Sequence, residues 1–125
     1  MTQAFDELPW HDADILGIVV DRRSQGGAWV RVALTVKWPT GSTECLEFQD
    51  CREFEAQLHL NYKGRENVFS ARIANDNEGL ASLRETWRKV GATLPPLNCY
   101  EIETNTSGSI IRAYAQGFTV RPYDP

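Results

Sequence analysis

The stretch Ala28-Trp29-Val30-Arg31-Val32-Ala33-Leu34-Thr35-Val36-Lys37-Trp38 alternates without a break. In an extended chain Val30, Val32, Leu34, Val36 and Trp38 fall on one face, and Trp29, Arg31, Ala33, Thr35 and Lys37 on the other. A period of two residues marks a strand with one side in a core and the other in water. A helix would scatter the same residues around its circumference. The chain is therefore read as built around an antiparallel sheet.

The neighbouring segments extend this reading. On the N-terminal side, Ser24-Gln25-Gly26-Gly27 is turn chemistry. Before it, residues 15–22 form an apolar, β-branched run, expected to be a strand covered on both faces for part of its length. On the C-terminal side, Pro39-Thr40-Gly41-Ser42 turns the chain into residues 43–48. There Glu44, Leu46 and Phe48 alternate with Cys45, Glu47 and Gln49, which completes a meander. Alternation predicts further strands over 54–62, over 68–74 with Phe69, Ala71 and Ile73 on one side, and over 98–103 and 109–115. The last of these continues into 117–120 past a bulge at Gly117.

A single stretch has helical spacing. Asn75-Asp76-Asn77 offers capping oxygens and Glu78 suits the positive end of the dipole. Leu80, Leu83, Trp87 and Val90 then recur at helical intervals, and Gly91 stops the run. The face carrying Leu83 and Trp87 is expected to lie on the sheet. The predicted fold is α+β: a mainly antiparallel sheet of about seven strands, sandwich-like or strongly curved, with one amphipathic helix packed on a face. It forms one domain over 1–125, with residues 1–7 and 121–125 expected to be flexible.

Composition narrows the functional classes. At 125 residues, 42% hydrophobic and 24% charged, the chain can bury a full core without staples. The net charge of −4 disfavours nonspecific nucleic-acid binding and docking on an anionic membrane, both of which need clustered Lys and Arg. No apolar run is long enough to cross a bilayer. Three cysteines, Cys45, Cys51 and Cys99, with no CxxC spacing, argue against a disulfide framework or a zinc knuckle. A polar start without a basic leader makes a reducing cytoplasm the expected compartment.

Several residue groups could carry chemistry. His11, Asp12 and Asp14, just after Trp10, could hold a metal or act as acid and base, or could simply hydrogen-bond the backbone at the start of the first strand. Cys45 or Cys51 could serve as a nucleophile with His59 as base, or pack as small hydrophobes. Trp29 beside Arg31 on a water-facing strand face is hot-spot chemistry for a protein interface, unless a second layer covers it. Glu44, Glu47, Asp50, Glu53 and Glu55 crowd the third strand, as a partner-binding acidic face or a solvated one. No nucleophile elbow, phosphate-cradling loop or His-x-x-x-His motif is present. No cofactor or metal is expected.

Two segments, Trp10-His11-Asp12-Ala13 and Leu46-Glu47-Phe48-Gln49-Asp50-Cys51, resemble those of small bacterial immunity proteins that neutralise toxins of polymorphic or contact-dependent systems. The resemblance implies a noncatalytic binding protein whose partner is a toxin domain, which the acidic charge suggests is basic. On this reading the binding residues are Trp10, His11, Asp12, Asp14, Trp29, Arg31, Glu44, Glu47 and Asp50, on an acidic, indole-bearing sheet face. Two alternatives stand beside it: a metal-dependent or hydrolytic enzyme using His11, Asp12 and Asp14, and a structural module that dimerises through a sheet edge.

Overall fold

A computed structural model of the chain describes residues 4–23, 30–60, 67–76, 78–105 and 107–123. Its strands are β1 (Asp14–Asp21), β2 (Arg31–Lys37), β3 (Thr43–Gln49), β4 (Glu53–Gln57), β5 (Val68–Ile73), β6 (Asn98–Thr104), β7 (Ile110–Ala115) and β8 (Gly117–Pro122); the helix α1 spans Glu78–Lys89. All pairings are antiparallel, in two four-stranded sheets of order β1-β2-β3-β8 and β4-β7-β6-β5. The α+β class, mainly antiparallel sheet with one helix, is as the sequence predicts.

The inner faces follow the alternation. Val32, Leu34, Val36, Leu46 and Phe48 from the first sheet meet Tyr100, Ile102, Ile111, Ala113 and Ala115 from the second in one core. A smaller core lies on the outer side of the second sheet. There Leu80 and Leu83 of α1, with Trp87 at the margin, cover Cys99 and Tyr114. The helix thus docks by the expected face and ends at Gly91, whose φ of +79° suits the residue without a Cβ. Val90, though in phase with that face, is exposed.

Two corners join the sheets. β3 leaves the first sheet at Asp50, whose φ of +50° turns the chain, and enters the second as β4. The bend is held by Arg52, whose Nε donates to Asp50 Oδ1 at 2.7 Å and whose backbone N–H reaches the Tyr114 carbonyl at 2.8 Å. Opposite it, β7 becomes β8 through Gln116, whose N–H donates to the Gln49 carbonyl at 2.9 Å. The β3–β8 pair therefore continues as the β4–β7 pair, one ribbon folded over the core. The segment read as a continuation past Gly117 is an eighth strand in the other sheet, and it includes Arg121 and Pro122, which were assigned to a flexible tail.

Four other expectations are corrected. Phe5, placed in a flexible lead, is 1% exposed and sits in a 3₁₀ turn over Phe5–Glu7. Its ring lies 4.8 Å from that of Tyr100, 5.1 Å from Trp10 and 5.4 Å from Phe118. β1, expected to be covered on both faces for part of its length, lies at the edge of its sheet with Val19 40% and Val20 50% exposed, and a register shift between Ile15 and Gly17 leaves Leu16 57% exposed. A similar shift between Val68 and Ser70 turns Phe69 out to 63% exposure, while Val68 is buried and Ala71 packs on the core. β4 ends at Gln57, not Tyr62, because its partner β7 begins opposite at Ile110. The turn at residues 24–27 and the end of the predicted 54–62 strand fall outside the described residues.

Candidate binding surface

The opening segment is a corner and not a catalytic cluster. The Trp10 ring is buried and its indole Nε1 donates to the Phe5 carbonyl at 2.7 Å. A turn closed by Ala13 N–H on the Trp10 carbonyl at 2.8 Å carries Asp12 at φ +65°. It throws His11 and Asp12 into water, with side chains 92% and 67% exposed and 3.5 Å apart. Asp14 is buried beyond the turn, where Asn67 Nδ2 donates to its Oδ1 at 3.1 Å. The three side chains do not share a site. Among the described residues no three His, Cys, Asp or Glu side chains group as metal donors.

Cys51 and Cys99 fit the apolar reading, while Cys45 lies on the outer face of β3, where Arg31 Nη2 donates to its Sγ at 3.7 Å. Burial pushes the Cys51 thiol up to about 11, and its Sγ donates to the Glu53 carbonyl at 3.3 Å. Burial likewise pushes Cys99 up to about 11. Neutral thiols are poor nucleophiles. His59 lines a different cleft from Cys51, and its backbone N–H bonds Ser109 Oγ at 3.0 Å.

The acidic group of the third strand is dispersed by alternation and by the corner at Asp50. Glu47 points outward between Arg31, at 3.1 Å, and Arg121, which both bond its Oε2. Asp50 is bound to Arg52. Glu53 and Glu55 lie on the outer face of the second sheet, where burial and the neighbouring Glu55 carboxyl raise the Glu53 pKa. Glu44 points inward. The outer face of the first sheet, expected to be acidic, is mixed: Arg31, Lys37 and Arg121 stand with Glu47 and with Asp21, the cross-strand partner of Arg31. Trp29 lies outside the described residues.

A charged row crosses the second sheet. Glu55 lies 3.6 Å from Arg112; Arg112 donates to Glu101 at 2.8 Å, and Arg72 to Glu101 at 3.0 Å. The Glu101 side chain is only 12% exposed. Burial works against its charge, yet the bonds from Arg112 and Arg72 together hold its pKa below the ordinary carboxylate range. A depressed pKa gives stability that is intact above the unfolded value and is lost as pH falls through the folded one. Arg112→Gln is expected to cost about 1–3 kcal/mol at neutral pH. It should also flatten the acid limb of the stability curve, as read by urea denaturation at stepped pH.

The features that remain converge on β8. This strand closes one margin of the first sheet, and no described strand pairs with its outer edge. A cleft flanks it on each side. On the outer face a groove of about 810 Å³ has Ala33, Thr35 and Cys45 on its floor, with Arg31, Arg121 and Tyr123 around it. At the open end of the sandwich a cleft of about 500 Å³ is walled by Leu8, Pro9, Trp38 and Phe118, with Glu44 beside them. Of the residues singled out from sequence, Arg31, Glu44, Cys45 and Glu47 belong to this surface. Trp10, His11, Asp12, Asp14 and Asp50 are corner residues. Arg121, Trp38 and Phe118 were missed: Trp38 and Phe118 have the pattern of core residues, and Arg121 lies in the segment read as a frayed tail.

The geometry is that of an antiparallel sandwich with a strand edge, unpaired among the described residues, between two clefts. Comparison with family models, characterised proteins and solved structures finds no match for this chain. Among the described residues no helix is long and apolar enough to cross a membrane.

Proposed function

We propose that this chain is a noncatalytic protein-binding module of the immunity-protein kind. It acts in the cytoplasm and neutralises a toxin domain by covering its active surface. The observation that supports this reading is the β8 margin, a strand edge unpaired among the described residues, with a groove flanked by Arg31 and Arg121 on one side and an aromatic, acid-bearing cleft on the other. Free edges accept partner strands, and flanking clefts supply side-chain specificity. The Trp-His-Asp-Ala and Leu-Glu-Phe-x-Asp-Cys segments mainly shape the scaffold; of their residues Glu47 reaches the binding margin, where it pairs with Arg121.

The test is co-expression with the toxin-type protein encoded beside its gene. A stable complex and suppression of toxicity are expected. Glu47→Arg should weaken the complex about tenfold or more by setting a third arginine beside Arg31 and Arg121 against a basic partner. Phe69→Ser, on the distant bulge, should leave it unchanged. Absence of a complex together with undiminished toxicity would overturn the proposal.

A further inference from the structure

We propose that the cleft beside Glu44 receives a cationic side chain, a lysine ammonium or an arginine guanidinium, presented by the protein that docks on β8. The partner rests on the binding reading above; the chemistry of the cleft rests on the following geometry. Glu44 shares the inner face of β3 with Leu46 and Phe48, and its cross-strand partner Val36 is in the core. A carboxylate is therefore aimed into the open end of an apolar sandwich. Trp38 Nε1 donates to its Oε1 at 2.7 Å, which fixes the group in place. Oε2 has no hydrogen bond and no ion pair among the described residues.

Of the acids near the third strand, Glu44 and Glu53 have no arginine among the described residues, and Glu44 alone faces inward; Glu53 lies on the outer face of the second sheet beside Glu55. Glu47, Asp50, Glu55 and Glu101 each have an arginine. Among the described residues no Lys, Arg or His lines the Glu44 cleft. Arg121, the cation on β8, is turned to the opposite face and held by Glu47. A half-buried carboxylate without a counter-charge attracts a cation more strongly than one in bulk water. The surroundings suit the whole side chain: Leu8 and Pro9 offer apolar surface to its stem, and Trp38 and Phe118 line the same cleft. The net charge of −4 would draw a basic partner toward the surface.

The experiment needs no partner. The ¹⁵N-labelled full chain is titrated with N-acetyl-arginine amide and N-acetyl-lysine amide, and the Trp38 indole N–H resonance is followed. N-acetyl-norleucine amide serves as the neutral analogue. Both cationic probes should shift the resonance saturably, and the neutral one should not. Glu44→Gln keeps an oxygen for the Trp38 indole and should weaken the cationic probes at least tenfold. Ser42→Arg, at an exposed turn position lining the cleft, should fill it from within and abolish probe binding whether or not Glu44→Gln folds. Equal shifts from the norleucine probe, or undiminished binding by either variant, would overturn the proposal. A toxin-type complex that forms while the probes fail removes the cation site alone; probes that bind while no complex forms remove the partner reading alone.

Discussion

Phe5→Ala is expected to destabilise the protein by about 3–5 kcal/mol, the range for emptying a buried aromatic site. Against a total of roughly 5–15 kcal/mol for a domain of this kind, that is a large fraction, and it should lower the melting temperature by about 10 °C or more. The reason is position. The Phe5 ring closes one end of the sandwich, touching Trp10, Tyr100 and Phe118, while Trp10 in turn stacks edge-on against Trp38 at 5.1 Å. The backbone carbonyl that accepts the Trp10 indole survives the substitution, so the loss measures packing and not that hydrogen bond. Asp6→Ala, one residue along and exposed, should change the midpoint by less than about 0.5 kcal/mol. Thermal and urea denaturation of the pair decide the matter. A Phe5→Ala protein that melts with the wild type would mean that the N-terminal segment is no part of the core.

That segment also marks the limit of what could be read from sequence. β2, β3 and α1 were legible because each carries a repeating pattern, of period two or near 3.6, long enough to outvote its exceptions. Phe5 is a single aromatic among polar neighbours, and one residue has no period; only the distant rings of Tyr100 and Phe118 give it a place. Asp50 likewise gave no sign that the strand pattern on either side of it belongs to two sheets. Alternation resumes after the corner, and a positive φ at an aspartate leaves no trace in hydropathy. The same corner explains why the acidic group dissolved. Glu44, Glu47, Asp50, Glu53 and Glu55 are close in sequence, but pleating and the bend send them to an inner face, an outer face, a corner and a second sheet.

The two segments that carry the immunity-protein resemblance show this division in miniature. Trp10 and Ala13 are buried, Asp12 supplies the left-handed turn, Leu46 and Phe48 fill the core, and Asp50 makes the sheet-to-sheet corner. They are residues that a fold requires. The β8 margin, where a partner would be chosen, is built from side chains such as Arg121 and Glu44 whose roles depend on what lies across the strand from them. Its location was therefore readable only from the pairing of β8 with β3.

Leu80→Ala should have a comparable effect through the other core, and a thiol can report it. Leu80 and Leu83 seal Cys99 and Tyr114 beneath α1, on the far side of the second sheet from Phe5. Cutting Leu80 to alanine is expected to cost about 2–4 kcal/mol. If α1 lifts as a local unit, the whole cost falls on the opening that exposes Cys99. With Cys45→Ser and Cys51→Ser as background, modification of Cys99 by a thiol reagent should accelerate about thirtyfold or more, since each 1.4 kcal/mol is a factor of ten. The reagent meets Cys99 only after opening, when the burial that raises its pKa is gone in both proteins, so the thiol chemistry cancels in the ratio. Phe5→Ala in the same background separates two cases. Independent opening of α1 leaves its Cys99 rate near that of the background, because Phe5 is not among the residues the helix covers. Opening only by global unfolding makes both substitutions accelerate Cys99 in proportion to their stability loss. A Leu80→Ala protein with an unchanged rate would mean that the helix does not guard this face at all.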